Sequence, residues 1–204
     1  SMKNKSKPFE SPRDWEKLYY KGAGMDKVIE SGIDMGILTK QEIKNNDLTF
    51  FKMPDFKEIK KLGAQMHWWS YYHKWIPQEN YYYSAEHTGF EANPDGRSEG
   101  TYSKYASLDD KLDGFHWYLG YIKFGLGRAS RDAQMEIRSG HITREEAVAL
   151  VKRYDGEFPK KYFKDFVEYL GITEKHFWKV VEIYRSPHLW KKVSGKWKLK
   201  YMVK

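Results

Sequence analysis

Residues 121–146 read YIKFGLGRASRDAQMEIRSGHITREE, and the rest of the chain is interpreted outward from them. Lys123, Arg128, Arg131, Asp132, Glu136 and Arg138 crowd into residues 123–138, punctuated by Gly125 and Gly127. If 126–139 is a helix advancing about 100° per residue, these side chains sort by face. Arg128, Arg131, Asp132, Met135, Glu136 and Arg138 share one broad side, while Ala129, Ala133 and Ile137 share the apolar side opposite. The glycines let backbone approach a neighbour or ligand closely at a helix start, where free N–H groups favour anions. The same pattern also describes a solvated charged face with i,i+4 pairs such as Arg128–Asp132.

The chain has 204 residues, enough for one sizeable core or a core with an appendage. It has no cysteine, so disulfides, thiolate metal sites and a cysteine nucleophile are excluded. No run reaches the roughly 18 apolar residues of a membrane span, and residues 1–16 lack the apolar region of a secretory signal. A cytoplasmic protein without membrane insertion is expected. Ser1-Met2 reads as a cleavage scar. The net charge of +8 calls for an anionic partner. Its lysines and arginines are dispersed apart from a run at 191–204, and no nucleic-acid module is recognisable. Aromatic residues make up 17% of the chain, unusual means for stacking or for a rigid core.

The expected organisation is a tag or linker at 1–10, a connecting arm of short helices at 11–47, a main domain at 48–190 and a basic tail at 191–204. Within the arm, Ser11 to Asp14 caps a helix through Tyr20, a helix covers 25–35, and Thr39 with Glu42 forms a capping box. Residues 48–51 suggest a short strand, and Asp55 caps a helical turn through Leu62. The block 64–75, AQMHWWSYYHKW, has the aromatic bias of a buried strand. Its histidines, His67 and His73, have no third ligand at metal-site spacing.

Pro77 to Asn80 opens a helix closed by Gly89. Residues 90–104 form a loop with Arg97, Glu99, Tyr102 and Lys104 as candidate contacts. Ser107 to Asp110 caps a helix to about Tyr121, with Leu112, Phe115, His116, Leu119 and Ile122 at core spacing. Thr143 with Glu146 is a second capping box, opening a helix that carries Ala147, Val148, Leu150 and Val151. A helical hairpin turns at Gly171, with Phe163, Phe166, Val167, Leu170, Phe177, Val180, Val181 and Tyr184 as its core. The run at 191–204 alternates lysine with apolar residues and is expected to turn at Ser194-Gly195. The fold class is mainly α with one or two short strands.

Four segments carry a resemblance: 75–81 (WIPQENY), 99–105 (EGTYSKY), 122–129 (IKFGLGRA) with Asp132-Ala133, and 136–138 (EIR) running into 140–147 (GHITREEA). In this order they resemble the C-terminal half of the N-acetyl sugar amidotransferase family, over about residues 50–190. That family acts in bacterial O-antigen, pseudaminic acid and legionaminic acid biosynthesis. The resemblance implies that a PP-loop (ATP pyrophosphatase) domain, using ATP and Mg²⁺, activates an acetamido oxygen of a nucleotide-linked N-acetyl sugar. Ammonia from a glutaminase subunit then displaces AMP and leaves an acetamidino group. It implies substrate or phosphate contacts for Lys123, Gly125, Gly127, Arg128, Arg131, Asp132, Glu136 and Arg138, joined by Tyr102 and Lys104 of the loop. No catalytic residue is singled out, and no metal site.

The family's Ser-Gly-Gly-x-Asp-Ser phosphate loop and its paired cysteines are absent from this sequence. Ser194-Gly195-Lys196 lacks the glycine-rich turn and reads as a β-turn. The chain is therefore expected to be the C-terminal portion of a longer or split enzyme, inactive by itself, without a tightly bound cofactor and prone to self-association. Its partners would be the N-terminal ATP-binding domain and the glutaminase. The alternative is a non-catalytic module that docks either subunit.

Overall fold

The computed structural model describes residues 9–10, 14, 24–43, 50 and 54–204. The chain divides into two units, Ser1–Trp75 and Ile76–Lys204. The helix expected at 14–20 and the strand expected at 48–51 lie outside the described residues, save Asp14 and an exposed Phe50.

In the first unit, strand β1 (Phe9–Glu10) pairs antiparallel with β2 (Met66–His67). Helix α1 (Met25–Asp34) occupies the expected place, and α2 (Phe56–Lys61) starts where the Asp55 carboxylate accepts the Lys57 N–H at 2.7 Å. Thr39 and Glu42 make the reciprocal capping-box hydrogen bonds around a turn. The block 64–75 departs from expectation. Only Met66–His67 pairs as a strand, and Trp69–Tyr72 forms a one-turn helix, α3. Trp69, Tyr71, Tyr72 and Trp75 are each at least half exposed. Ile59 is the one buried residue among those described in this unit, and the described residues offer the rings no core to enter. They pair locally instead: Trp69 stacks on His73 at 4.4 Å, and His67 bonds Tyr72 and Gln65 through its two ring nitrogens.

The second unit is six helices and a hairpin. Helix α4 (Pro77–Thr88) begins on proline and ends at Gly89, whose φ of 69° is the left-handed stop glycine provides. After a loop come α5 (Asp113–Phe124), α6 (Arg128–Ser139), α7 (Arg144–Tyr154), α8 (Phe163–Tyr169) and α9 (Glu174–Ile183). Strands β3 (Trp190–Val193) and β4 (Lys196–Leu199) close antiparallel around Ser194 and Gly195, both at positive φ, as the sequence predicts. The core joins Phe115, Tyr118 and Ile122 of α5 to Phe166, Val167, Phe177 and Val181 of the helical hairpin. Trp190 completes it, its indole N–H donating to the Ile122 carbonyl at 2.7 Å. The fold is mainly α, with short strands only. Among the described residues no helix is long and apolar enough to cross a membrane.

Four local expectations are corrected. Helix α5 starts at Asp113 rather than at the Ser107–Asp110 cap. Ser107 has a φ of 56° and turns its hydroxyl to Arg128, while Asp110 accepts the Leu112 N–H just ahead of the helix. On α5 the inward residue is Tyr118, and His116 is exposed. Leu170 and Tyr184 lie at the ends of α8 and α9, beyond the hairpin's covered length, and are about half exposed. On α6 Ala129 and Ala133 are buried, but Ile137 is 40% exposed and Arg128 only 5%. The helix is thus rolled so that Arg128 and Asp132 turn inward, where polar partners await them.

Candidate functional site

The loop at 90–107 is tied down at many points. Arg97 makes a bidentate pair with Glu157, at 2.6 and 2.9 Å, and lies over the Tyr154 ring. Glu157 also accepts the Gly100 N–H at 2.8 Å. These hydrogen bonds to its charged form, the Arg97 pair first, hold its carboxyl below the usual range. Lys161 reaches Asp95, and its N–H meets Glu99. Thr101, fully buried, donates its hydroxyl to Asp132 at 2.7 Å.

Behind that hydrogen bond sits Arg128. Its guanidinium pairs with Asp113 and donates to the Ser107 hydroxyl at 3.1 Å. Its Nε lies 3.7 Å from Asp132, and the Trp117 ring covers it at 5.5 Å. Trp117 in turn donates its indole N–H to Asp113.

The start of α6 also differs from expectation. Its N–H groups do not wait for an external anion. Gly127 and Ser130 donate their backbone N–H to the Asp155 carboxylate at 3.0 Å each, and the Ser130 hydroxyl joins them at 2.5 Å. The Ala129 N–H goes to the Gly100 carbonyl. A Cβ on Gly127 would stand 2.8 Å from an Asp155 oxygen, so glycine is needed here for the close approach of an internal anion.

In front of this layer, two adjoining hollows share Gln78, Glu136 and His141. Asp132 and Glu136, one helical turn apart on α6, face the first hollow with Tyr105, and Arg131 stands at its edge. Tyr102 and Tyr82 wall the second. The Tyr105 hydroxyl donates to Gln78 at 3.0 Å, and its ring stacks on Tyr81 at 4.5 Å. The buried Tyr102 hydroxyl faces Glu136 but makes no regular hydrogen bond. His141 lies 3.7 Å from Glu79.

The electrostatics are those of a desolvated acid pair. Burial raises the Asp132 carboxyl, although the Thr101 hydrogen bond and the charges of Arg128 and Arg131 pull the other way. Burial raises Glu136 as well, against Tyr102 and His141, and the Asp132 charge adds to the rise. Burial and then these carboxylates push Tyr105 up to about 12, and Tyr102 rises for the same reasons. A carboxyl pair displaced upward inside a concave recess can take or hold a proton, or accept hydrogen bonds from hydroxyl and amide groups.

The raised Glu136 gives a test. A carboxyl whose folded pKa exceeds its unfolded value makes the folded state hold an extra proton. Its ionisation then costs stability: the cost is absent below about pH 4.3 and grows as pH rises through the folded value. Glu136→Gln is expected to remove that cost. The variant's urea midpoint, taken relative to wild type, should rise between about pH 4 and pH 7. A difference that stays flat would mean that the carboxylate is solvated.

Of the residues singled out from sequence, the structure brings Tyr102, Arg131, Asp132 and Glu136 together at the recess. Arg128 supports them from behind. Gly125 ends α5 at a φ of 75° against Leu199, and Gly127 fits around Asp155. Lys123 lies over the Phe124 and Tyr184 rings, away from both hollows. Lys104 and Arg138 are exposed and line neither hollow. Sequence reasoning missed Gln78, Tyr105 and His141 as lining residues, although all three lie within the segments that carry the resemblance. It also missed Asp155, which reaches Gly127 across 28 residues and leaves no local signal.

Comparison with known proteins matches residues 99–204 to the family described as LPS biosynthesis protein WbpG-like, C-terminal domain. No curated protein matches the chain. Six recess residues, Tyr102, Tyr105, Arg131, Asp132, Glu136 and His141, fall inside the matched segment. The chain therefore belongs to the WbpG-like lipopolysaccharide-biosynthesis family, and residues 99–204 are its C-terminal domain.

Proposed function

We propose that this chain is the substrate-side portion of an ATP-dependent amidotransferase that converts the acetamido group of a nucleotide-linked N-acetyl sugar to acetamidino in lipopolysaccharide biosynthesis. The observation that carries the reading is the convergence of Asp132, Glu136, Tyr102 and Arg131 on one recess within the family-matched domain. In this reading Asp132 and Glu136 accept hydrogen bonds from sugar hydroxyls and the acetamido N–H. Tyr102 and Tyr105 cover the apolar face of the ring, and Arg131, 54% exposed, meets the diphosphate at the edge.

The residues described here do not suit the phosphates of ATP. The N–H groups at the start of α6 are taken by Asp155, and Arg128 is committed to Asp113. ATP, Mg²⁺ and the activation step are accordingly assigned to a separate PP-loop domain, and ammonia to a glutaminase partner. What Asp132 and Glu136 add is orientation of the acetamido group and a place for the proton that amidation releases.

The test is calorimetric titration of the chain with a panel of nucleotide-linked N-acetyl sugars. At least one should bind. Asp132→Asn and Glu136→Gln should each weaken it about tenfold or more, the worth of a hydrogen bond to a charged group. Unchanged affinity in both variants, or no binding by the wild type, would sink the reading.

A further inference from the structure

The β3–β4 hairpin separates its side chains by register. Trp190 pairs with Leu199, and Lys192 with Trp197; the two tryptophans and Leu199 pack on the core. Lys191 pairs with Lys198, and Val193 with Lys196, so the opposite face carries three lysines and a valine, all exposed. Like charges directly across a ladder destabilise it. Among the described residues no carboxylate relieves them. Residues 190–204 contain no acid, and among the described residues none of the three lysines has a carboxylate within ion-pair distance. Elsewhere on this unit lysines do find partners, Lys111 in Asp165 and Lys161 in Asp95.

The segment that follows adds a second feature. Tyr201, Met202 and Val203 are 81%, 54% and 38% exposed, with Lys200 before them and Lys204 after. Lysines interleaved with exposed apolar and aromatic side chains suit a boundary between charged headgroups and acyl chains. They suit a polynucleotide less well. The hairpin has no arginine, and its tryptophans face the core, so Tyr201 is the one exposed ring the patch offers, short of the successive stacking platforms that single strands use. Neither hollow described above is lined by hairpin residues.

We propose that the outer face of the β3–β4 hairpin, with residues 201–203, docks this protein peripherally on a surface of anionic lipid headgroups. Lys191, Lys196 and Lys198 supply the charge, which no carboxylate among the described residues answers. This inference is independent of the recess and of the reaction proposed there.

The test is co-sedimentation of the full chain with vesicles of phosphatidylcholine alone, and of phosphatidylcholine with about one-third phosphatidylglycerol. Binding is expected to the second and not the first, and to weaken as salt rises. The triple variant K191Q/K196Q/K198Q should lose about a hundredfold in partitioning, at roughly fivefold per lysine near a charged surface. Its unfolding midpoint should be no lower than wild type's, because removing Lys191–Lys198 repulsion costs the hairpin nothing. Its nucleotide-sugar titration should also be unchanged. Several outcomes would overturn the proposal: equal binding to the neutral vesicles, no binding to the anionic ones, or undiminished binding by the folded triple variant. So would displacement by millimolar inorganic pyrophosphate, or tighter binding to a single-stranded polynucleotide than to anionic vesicles.

Discussion

Arg128→Ala is expected to lower stability by about 3–5 kcal/mol, the usual cost of removing one member of a buried ion pair. The side chain is 5% exposed and holds Asp113 and the Ser107 hydroxyl while lying under Trp117. Its loss strands Asp113, which is 21% exposed, without its cation, and leaves Asp132, 15% exposed, to the more exposed Arg131 at 3.7 Å. Against a total stability of about 5–15 kcal/mol, that is a large fraction. For a chain of this length the melting temperature should fall by about 10 °C. The double variant D113N/R128M should recover much of the loss. It leaves no unpaired charge at that pair, and the amide oxygen it places at position 113 still accepts from Trp117. Thermal unfolding of wild type and the two variants checks this. A melting temperature for Arg128→Ala within about 2 °C of wild type, with lost sugar binding, would instead make Arg128 a ligand contact.

Trp190→Ala is expected to cost about 3–5 kcal/mol, as for other large aromatic truncations in a core. Three contacts go with the ring: the indole hydrogen bond to Ile122, the edge contact with Tyr121 at 5.4 Å, and the Arg185 guanidinium at 4.7 Å. Trp190→Phe keeps most of the apolar contact and loses the hydrogen bond, so a loss of about 1–2 kcal/mol is expected. Urea unfolding followed by near-ultraviolet circular dichroism separates the two. Equal, small losses would mean that the hairpin rests on the helices without being anchored by this residue.

Much of the architecture could be read from local sequence because its signals are local. The Thr143 capping box, the proline start of α4, the stop at Gly89 and the Ser194-Gly195 turn each depend on residues within one turn of chain. What failed depended on partners far away. Periodicity placed Arg128 on a polar outer face, because nothing near it announces Asp113 and Ser107 as inward partners. The helix start on α6 looked open to a phosphate because Asp155 enters from the end of another helix. The aromatic block at 64–75 looked like a buried strand because ring content was taken as a sign of burial, and burial needs a core to receive the rings. The recess was half legible. Charge and spacing singled out Asp132 and Glu136, whereas Gln78, Tyr105 and His141 join them only through tertiary packing.

The ties that hold the 90–107 loop have a consequence for the order in which the molecule is assembled. Arg97 and Gly100 are fixed by Glu157, and Asp95 and Glu99 by Lys161, contacts spanning 57 to 66 residues. Loops that close over such separations form late, because their entropy must be lost before the contact repays it. During synthesis, then, Tyr102 and Tyr105 reach their places only after the junction of α7 and α8 has left the ribosome, although the residues that line the recess are made well before it.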